Sequence, residues 1–353
     1  MKKFILIILL AFIFIPNVNA EVKLAESAKS SILIEATTGE IIYESKKDEK
    51  FAPASMTKIM SLIIIMEEIE KGNLKWNEEI TVSKNASSMG GSQIYLEEGE
   101  KMSVKDLVKG ICMASANDAV VALAERISGS EEAFVFRMNE NVKKIGLKNT
   151  NFKNATGLDV ANHYSSAYDM SMMARELVKH KKILDFSGIY EDYLRQDTDK
   201  KFWLVNTNRL IKTYDGMDGL KTGYTKEAGY CLTATAKRGD MRLIGVVMGE
   251  ETSSIRNEEM TKLLDYGFNL YNVSSLVTNK TKLGKYENSK MKLSNVNIVP
   301  SSSVNVLNKK GDPKRKVSYK LKVTREKLPI KKGEKIGKMY VYENGKKLYN
   351  IDI

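Results

Sequence analysis

A chain of 353 residues with 42% hydrophobic and 28% charged side chains can bury a large core and carry a second domain, and it holds no fixed-period repeat or low-complexity tract. Two histidines and two cysteines exclude a histidine-based zinc hydrolase and a disulfide framework. The net charge of +12 is unevenly placed: residues 276–353 hold 20 Lys/Arg against 6 Asp/Glu, a balance of +14, while residues 21–275 balance at −4. Such asymmetry marks two units with different surroundings.

Lys2 and Lys3 precede an apolar run from Phe4 to Ile15, followed by Pro16 and, at a cleavage position, Ala20. This is the layout of an export signal, so residues 1–20 are expected to be removed. Twelve apolar residues fall short of the roughly 20 that a spanning helix needs. No cysteine follows the run to take a lipid. The mature chain is therefore expected outside the cytoplasm, where nucleic acid is a poor partner. A basic module there favours anionic wall polymers or lipid headgroups.

Ser31 to Lys46 is predicted to form two strands about a Thr38-Gly39 turn. Pro53 then precedes a long apolar helix ended by Gly72. Ser103 and Asp106 resemble a helix start, opening one or two helices that close at Gly129. Asn149 to Ser166 is polar and turn-rich, and Tyr168 to His180 returns to helix. Three strands follow, Gly219 to Thr225, Gly229 to Lys237 and Met241 to Glu250, the last two joined by Arg238-Gly239-Asp240. A helix from about Ser254 to Tyr271 closes the unit. That order predicts an α/β (α+β) domain over 21–272, an antiparallel sheet flanked by helices. Over 273–353 the pattern is all-β: Val317, Tyr319, Leu321 and Val323 alternate with polar residues, and Asn344-Gly345 marks a hairpin.

Ser55 and Lys58 share one helix face a turn apart, a spacing that Ser289 and Lys292 repeat, so the pair alone decides nothing. A serine nucleophile needs a base. His163 lies in a loop among serines and His180 reads as a helix-end cation, which leaves Lys58. A lysine accepts a proton only when burial or neighbouring positive charge depresses its pKa, and a helix N-terminus with a second lysine supplies such a field. Ser115-Ala116-Asn117 falls at a helix junction, where the hydroxyl could relay a proton and Asn117 hold an amide. Lys221-Thr222-Gly223 opens a strand, offering a cation and a hydroxyl to a carboxylate, with a glycine where a substrate lies along the edge. Each triplet alone is weak, since Ser83-Lys84-Asn85 also fits Ser-x-Asn. Cys112 and Cys231, each in an apolar stretch, read as buried thiols rather than a bridge.

In this order, Ser55-x-x-Lys58, Ser115-x-Asn117 and Lys221-Thr222-Gly223 resemble the three motifs of the serine penicillin-recognising enzymes, the serine β-lactamase-like superfamily. More narrowly, "GGSQIYLEEGE" from Gly90, "NATGLDVANHYSSAYDM" from Asn154, "GLKTGYTKEAGYCL" and "RLIGVVMG" resemble D-alanyl-D-alanine carboxypeptidases, the low-molecular-weight penicillin-binding proteins. The resemblance covers about Ala25 to Tyr271, and the basic β domain is similar to that family's C-terminal domain. It implies attack of Ser55 on the D-Ala–D-Ala bond of peptidoglycan stem peptides, with Lys58 as proton acceptor and Ser115 passing a proton to the departing D-alanine. It also implies an oxyanion hole from N–H groups of Ser55 and of the Lys221 strand, no cofactor or metal, and covalent inhibition by β-lactams. Lys221, Thr222 and Thr225 would engage the terminal carboxylate. Arg256 is similar in position to a carboxylate-binding arginine of the family, its other reading being a solvated helix charge.

Two features depart from many relatives: Tyr224 follows the Lys-Thr-Gly triplet in place of histidine, and no amphipathic membrane helix follows the β domain. Adhesion is then expected to rest on the charge of that domain. The competing readings are a DD-endopeptidase, a β-lactamase and a non-catalytic wall-binding protein. No Glu-x-x-Leu-Asn-like segment supplies the carboxylate that class A β-lactamases use for deacylation.

Overall fold

Strand β1 (Ser30–Glu35) is buried along its whole length, and β2 (Ile41–Ser45) returns beside it across the Thr38-Gly39 turn. In the computed structural model, which describes residues 23–285, 296–325 and 330–353, these pair with three strands from much later in the chain. They are β3 (Met217–Thr225), β4 (Gly229–Arg238) and β5 (Met241–Glu250), in the antiparallel order β2-β1-β5-β4-β3. The apolar leader and the Ser289/Lys292 pair lie outside the described residues.

Strand periodicity places the two cores. Ile32 and Ile34 point to the helical layer, while Leu33 between them points to the opposite face and packs with Leu263 and Leu264. The helical layer contains α1 (Lys58–Glu70), α2 (Val104–Ala114), α3 (Asn117–Ser128), α4 (Glu131–Ile145) and α5 (Ala167–Leu177). Helix α6 (Ser253–Leu270) covers the other face. Helix α1 is apolar nearly all round, as a helix at the centre of a core must be. Ser103 caps α2 by accepting the Asp106 N–H, the start predicted from sequence. The stretch expected as one or two helices is two, split where Ser115 takes a left-handed conformation (φ 63°). Helix α4 had no counterpart in the sequence reading, although Phe134, Met138 and Val142 recur at helical spacing along its buried face.

The loop from Asn149 to Ser166 closes over the start of α1. It is tied there by isolated antiparallel bridges, Phe51 to Ser165 and Asn151 to Tyr164. Two glycines let backbone come close to the turn at Pro53 to Ser55. A Cβ on Gly157 (φ 88°) would stand 1.8 Å from the Ala54 carbonyl oxygen, and one on Gly223 would stand 2.8 Å from that of Pro53.

Downstream, β6 (Tyr271–Val277) continues directly from α6 and pairs with β7 (Val304–Lys309). Strands β8 (Val317–Val323), β9 (Gly337–Glu343) and β10 (Lys346–Asp352) form a second antiparallel sheet. The β9–β10 turn holds Asn344 (φ 48°) and Gly345 (φ 79°), the two positive φ values of a type I′ hairpin. Met339, Val341, Val304 and Tyr349 form this region's own core. Arg315 ties it to the first sheet: its guanidinium reaches Glu40 at 2.6 Å and Glu343 at 2.7 and 2.8 Å. Burial raises the Glu40 carboxyl and Arg315 pulls it back, so the arginine is what keeps a charge tolerable there.

Arg315→Met is expected to lower stability by about 1–3 kcal/mol, because it strands two carboxylates in a partly exposed site. Calorimetry checks this, and an unchanged Tm would show the bridge to be ornamental. Gly157→Ala is expected to cost about 2–4 kcal/mol in urea unfolding. Gly72→Ala, at a similar φ of 79° with open space around it, should cost only about 1 kcal/mol.

Candidate active site

Ser55 lies in a single 3-10 turn (Ala54–Thr57) that leads into α1, and it is half-buried. Lys58, the first residue of α1, has no exposed surface. Its Nζ lies 2.8 Å from Ser55 Oγ and donates to the Thr156 carbonyl at 2.6 Å. Burial, and then the charge of Lys221, hold its pKa well below the usual lysine range, against a smaller opposing pull from Asp118.

Lys221 comes from β3 and is equally buried, donating to the Thr222 carbonyl at 3.0 Å. Burial brings its pKa to about 7, with Cys112 opposing and Arg256 reinforcing the shift. Two ammonium groups cannot both stay charged in one dry site. At Lys58, burial and the second cation both favour the neutral amine.

The split between α2 and α3 carries two further candidate groups. Ser115 Oγ is buried and has no hydrogen-bond partner among the described residues. Asn117 donates through Nδ2 to the Gly90 carbonyl at 2.7 Å, and its Oδ1 is likewise buried and unpartnered. Buried polar atoms without partners are uncommon enough to mark a site that binds something.

The structure brings in residues that no sequence pattern singled out. The Asp118 carboxylate accepts the N–H groups of Ile94, Leu96 and Ala119 at 2.9 to 3.2 Å, pinning the Gly90–Leu96 segment over the site. Its signal was an acidic residue in the first turn of a helix. Thr207 accepts the Thr222 hydroxyl at 2.8 Å and its own N–H binds the Met113 carbonyl, joining β3 to α2. Nothing in the sequence distinguished it.

Other candidates take definite places. Gly223 faces the Ser55 turn itself, where a side chain would strike Pro53 and Ala54. Thr225 accepts the Ala228 N–H at 3.0 Å and so closes the β3–β4 turn. Arg256 is 5% exposed and bonds Asn257 Oδ1 at 2.8 and 3.1 Å, which corrects the reading of a solvated helix charge. His163 shares a proton with Thr57 Oγ1 at 2.8 Å and accepts the Lys153 N–H at 3.1 Å, so both ring nitrogens are engaged. Burial lowers its pKa to about 4, leaving a neutral strut for the loop. His180 pairs with Glu70 at 2.8 Å. Cys112 and Cys231 are buried free thiols. Among the described residues no helix is long and apolar enough to cross a membrane.

Comparison with known proteins agrees over both regions. Residues 17–252 match the family model of D-alanyl-D-alanine carboxypeptidases, and residues 271–353 match that of the C-terminal domain of penicillin-binding protein 5. The chain is 51% identical over 327 residues to the D-alanyl-D-alanine carboxypeptidase DacF of Bacillus subtilis, covering 92% of this chain and 84% of the relative. The structure of penicillin binding protein 5 from Haemophilus influenzae superposes with a TM-score of 0.74 at 29% identity, over 94% of this chain and 96% of that one. Penicillin-Binding Protein D2 from Listeria monocytogenes, in its ampicillin-bound form, gives 0.62 at 31% identity, over 70% and 99%. With agreement running through both regions, the chain belongs to the D-alanyl-D-alanine carboxypeptidases, the low-molecular-weight penicillin-binding proteins.

Proposed function

We propose that Ser55 is the nucleophile with which this serine D-Ala-D-Ala carboxypeptidase removes the terminal D-alanine of peptidoglycan stem pentapeptides, and that Lys58 takes its proton. The observation that carries this is the 2.8 Å contact between Ser55 Oγ and a lysine whose pKa burial and a neighbouring cation hold well below the usual range. Ser55 Oγ attacks the carbonyl of the penultimate D-alanine as its proton passes to Lys58. The N–H groups of Ser55 and of a β3 residue hold the developing oxyanion.

Ser115 relays the proton from Lys58 to the nitrogen of the terminal D-alanine as the C–N bond breaks, which leaves Lys58 neutral again, a role that suits a buried hydroxyl with no other partner among the described residues. Asn117 Oδ1, unpartnered beside it, accepts a substrate amide N–H. Lys221, Thr222 and Thr225 engage the terminal carboxylate, and Arg256 supplies further positive charge behind them. Gly223 lets β3 lie against the Ser55 turn. Water then attacks the Ser55 ester, Lys58 accepts its proton and returns it to Ser55 Oγ as the acyl C–O bond breaks. β-Lactams acylate the same oxygen and are released slowly.

Residues 21–272 form the catalytic unit, and the basic residues 273–353 form an adhesive one. The enzyme is exported with removal of residues 1–20 and works at the cell wall or the outer face of the cytoplasmic membrane. There the +14 balance of residues 276–353 favours anionic polymer or headgroups.

Ser55→Ala is expected to lower D-alanine release from a stem pentapeptide by at least about a thousandfold and to abolish covalent penicillin labelling. If either activity survives, Ser55 is not the nucleophile. In the free enzyme, kcat/KM should rise as Lys58 loses its proton and fall as Lys221 loses its own near pH 7. Lys221→Met removes a charge that lowers the Lys58 pKa, so the acidic limb should move to higher pH while KM rises. A pH–rate profile decides, and an acidic limb that stays put removes Lys221 as the neighbour that neutralises Lys58.

A further inference from the structure

Of the six exposed aromatic side chains among the described residues, two lie on one hairpin and a third, Tyr95, lies beside it. Its strands are Glu191–Leu194 and Phe202–Val205. Tyr193 and Trp203 are direct cross-strand partners on the outward face, 38% and 57% exposed. On the inward face Leu194 is buried, and Phe202 meets the ring of Tyr95, itself 68% exposed, at the rim. Lys201 caps the Tyr193 ring at 4.2 Å. Single exposed aromatics need no explanation, but a contiguous group does.

The hairpin is held rigidly to the site. Arg195 at its tip binds Glu100 at 2.6 Å and the Ile94 carbonyl at 3.1 Å, on the segment that Asp118 anchors. Lys109 of α2 binds Asp192 at 2.7 Å. The strand carrying Trp203 runs on to Thr207, the partner of Thr222. Those four residues of chain span at most about 14 Å, less than the roughly 17 Å of an extended pentapeptide.

We propose that the Tyr193/Trp203 face is a glycan platform, binding the N-acetylhexosamine strand to which the stem peptide in the site is attached. The inference rests on the carboxypeptidase reading of that site. A peptide held at Ser55 tethers its own glycan within reach of the hairpin, at high effective concentration. Flat amphipathic rings interleaved with a cation suit the apolar faces and hydroxyls of sugars. An inserting membrane anchor would carry exposed aliphatics beside the rings, and this hairpin has none.

Trp203→Ala and Tyr193→Ala are each assayed on a sugar-free pentapeptide and on polymeric peptidoglycan. The peptide kcat/KM should stay within about twofold of the parent, and the rate on polymer should fall about five- to tenfold. The parent should also co-sediment with peptide-free glycan strands, and the variants should lose this. Equal loss on both substrates, no loss on either, or Trp203-dependent binding to anionic vesicles but not to glycan would each overturn the platform. If the parent cleaves neither substrate, the carboxypeptidase reading fails, and glycan sedimentation still decides the platform.

Discussion

The arrangement of this centre turns on the burial of the Lys58 amine, in hydrogen-bond reach of Ser55 and under the charge of a second lysine. An ammonium group is strongly solvated, so burying it beside a second cation is costly, and the cheaper response is to release the proton. The fold arranges both terms. Helix α1 places Lys58 in an apolar core, and β3 delivers Lys221 from far along the chain. One remaining hydrogen bond, to the Thr156 carbonyl, fixes where the amine points.

That placement needs three separate elements to meet within tight tolerances, and the tolerances are visible as close backbone approaches. The Ser55 turn sits between the loop at Gly157 and the strand at Gly223, with no room for a side chain at either position. Farther along the chain, Ser115 adopts a left-handed conformation that ends one helix, and its hydroxyl is buried with no partner among the described residues. Strain of this kind persists only where the surroundings over-determine it. Here Asp118, Asn117 and Thr207 do so through hydrogen bonds to the neighbouring segments. His163 contributes in the same way, as a neutral brace between the loop and Thr57.

The second region adds a surface of opposite charge without touching the chemistry. Its link to the first combines apolar packing of Leu307 against α6 with the Arg315 bridge between Glu40 and Glu343. A single arginine thus lets carboxylates from both regions sit in a partly dry seam. The aromatic hairpin lies instead on the helical layer, where α2 and the Asp118-anchored segment hold it.

Local pattern carried much of this protein. The apolar run of α1, the Ser103 start of α2, the β4–β5 turn and the Asn344-Gly345 hairpin were legible because each is dictated by residues close together in the chain. So was the order of the three triplets, and with it the family. Helix α4 was equally written in the spacing of Phe134, Met138 and Val142, and a closer reading of periodicity would have found it. What sequence spacing could not decide is any property set by residues distant in the chain. The Ser55/Lys58 spacing occurs again at Ser289/Lys292, so the spacing alone decided nothing, and at Ser55 a buried second lysine and a closing loop surround it. Arg256 stood between a carboxylate-binding residue and a surface charge because a sequence shows what a helix carries and not what covers it. Thr207 and the brace at His163 exist only as contacts. The sequence by itself determined the elements and the reactive residue types, and the tertiary structure alone decided burial, and through burial the proton that Lys58 can take.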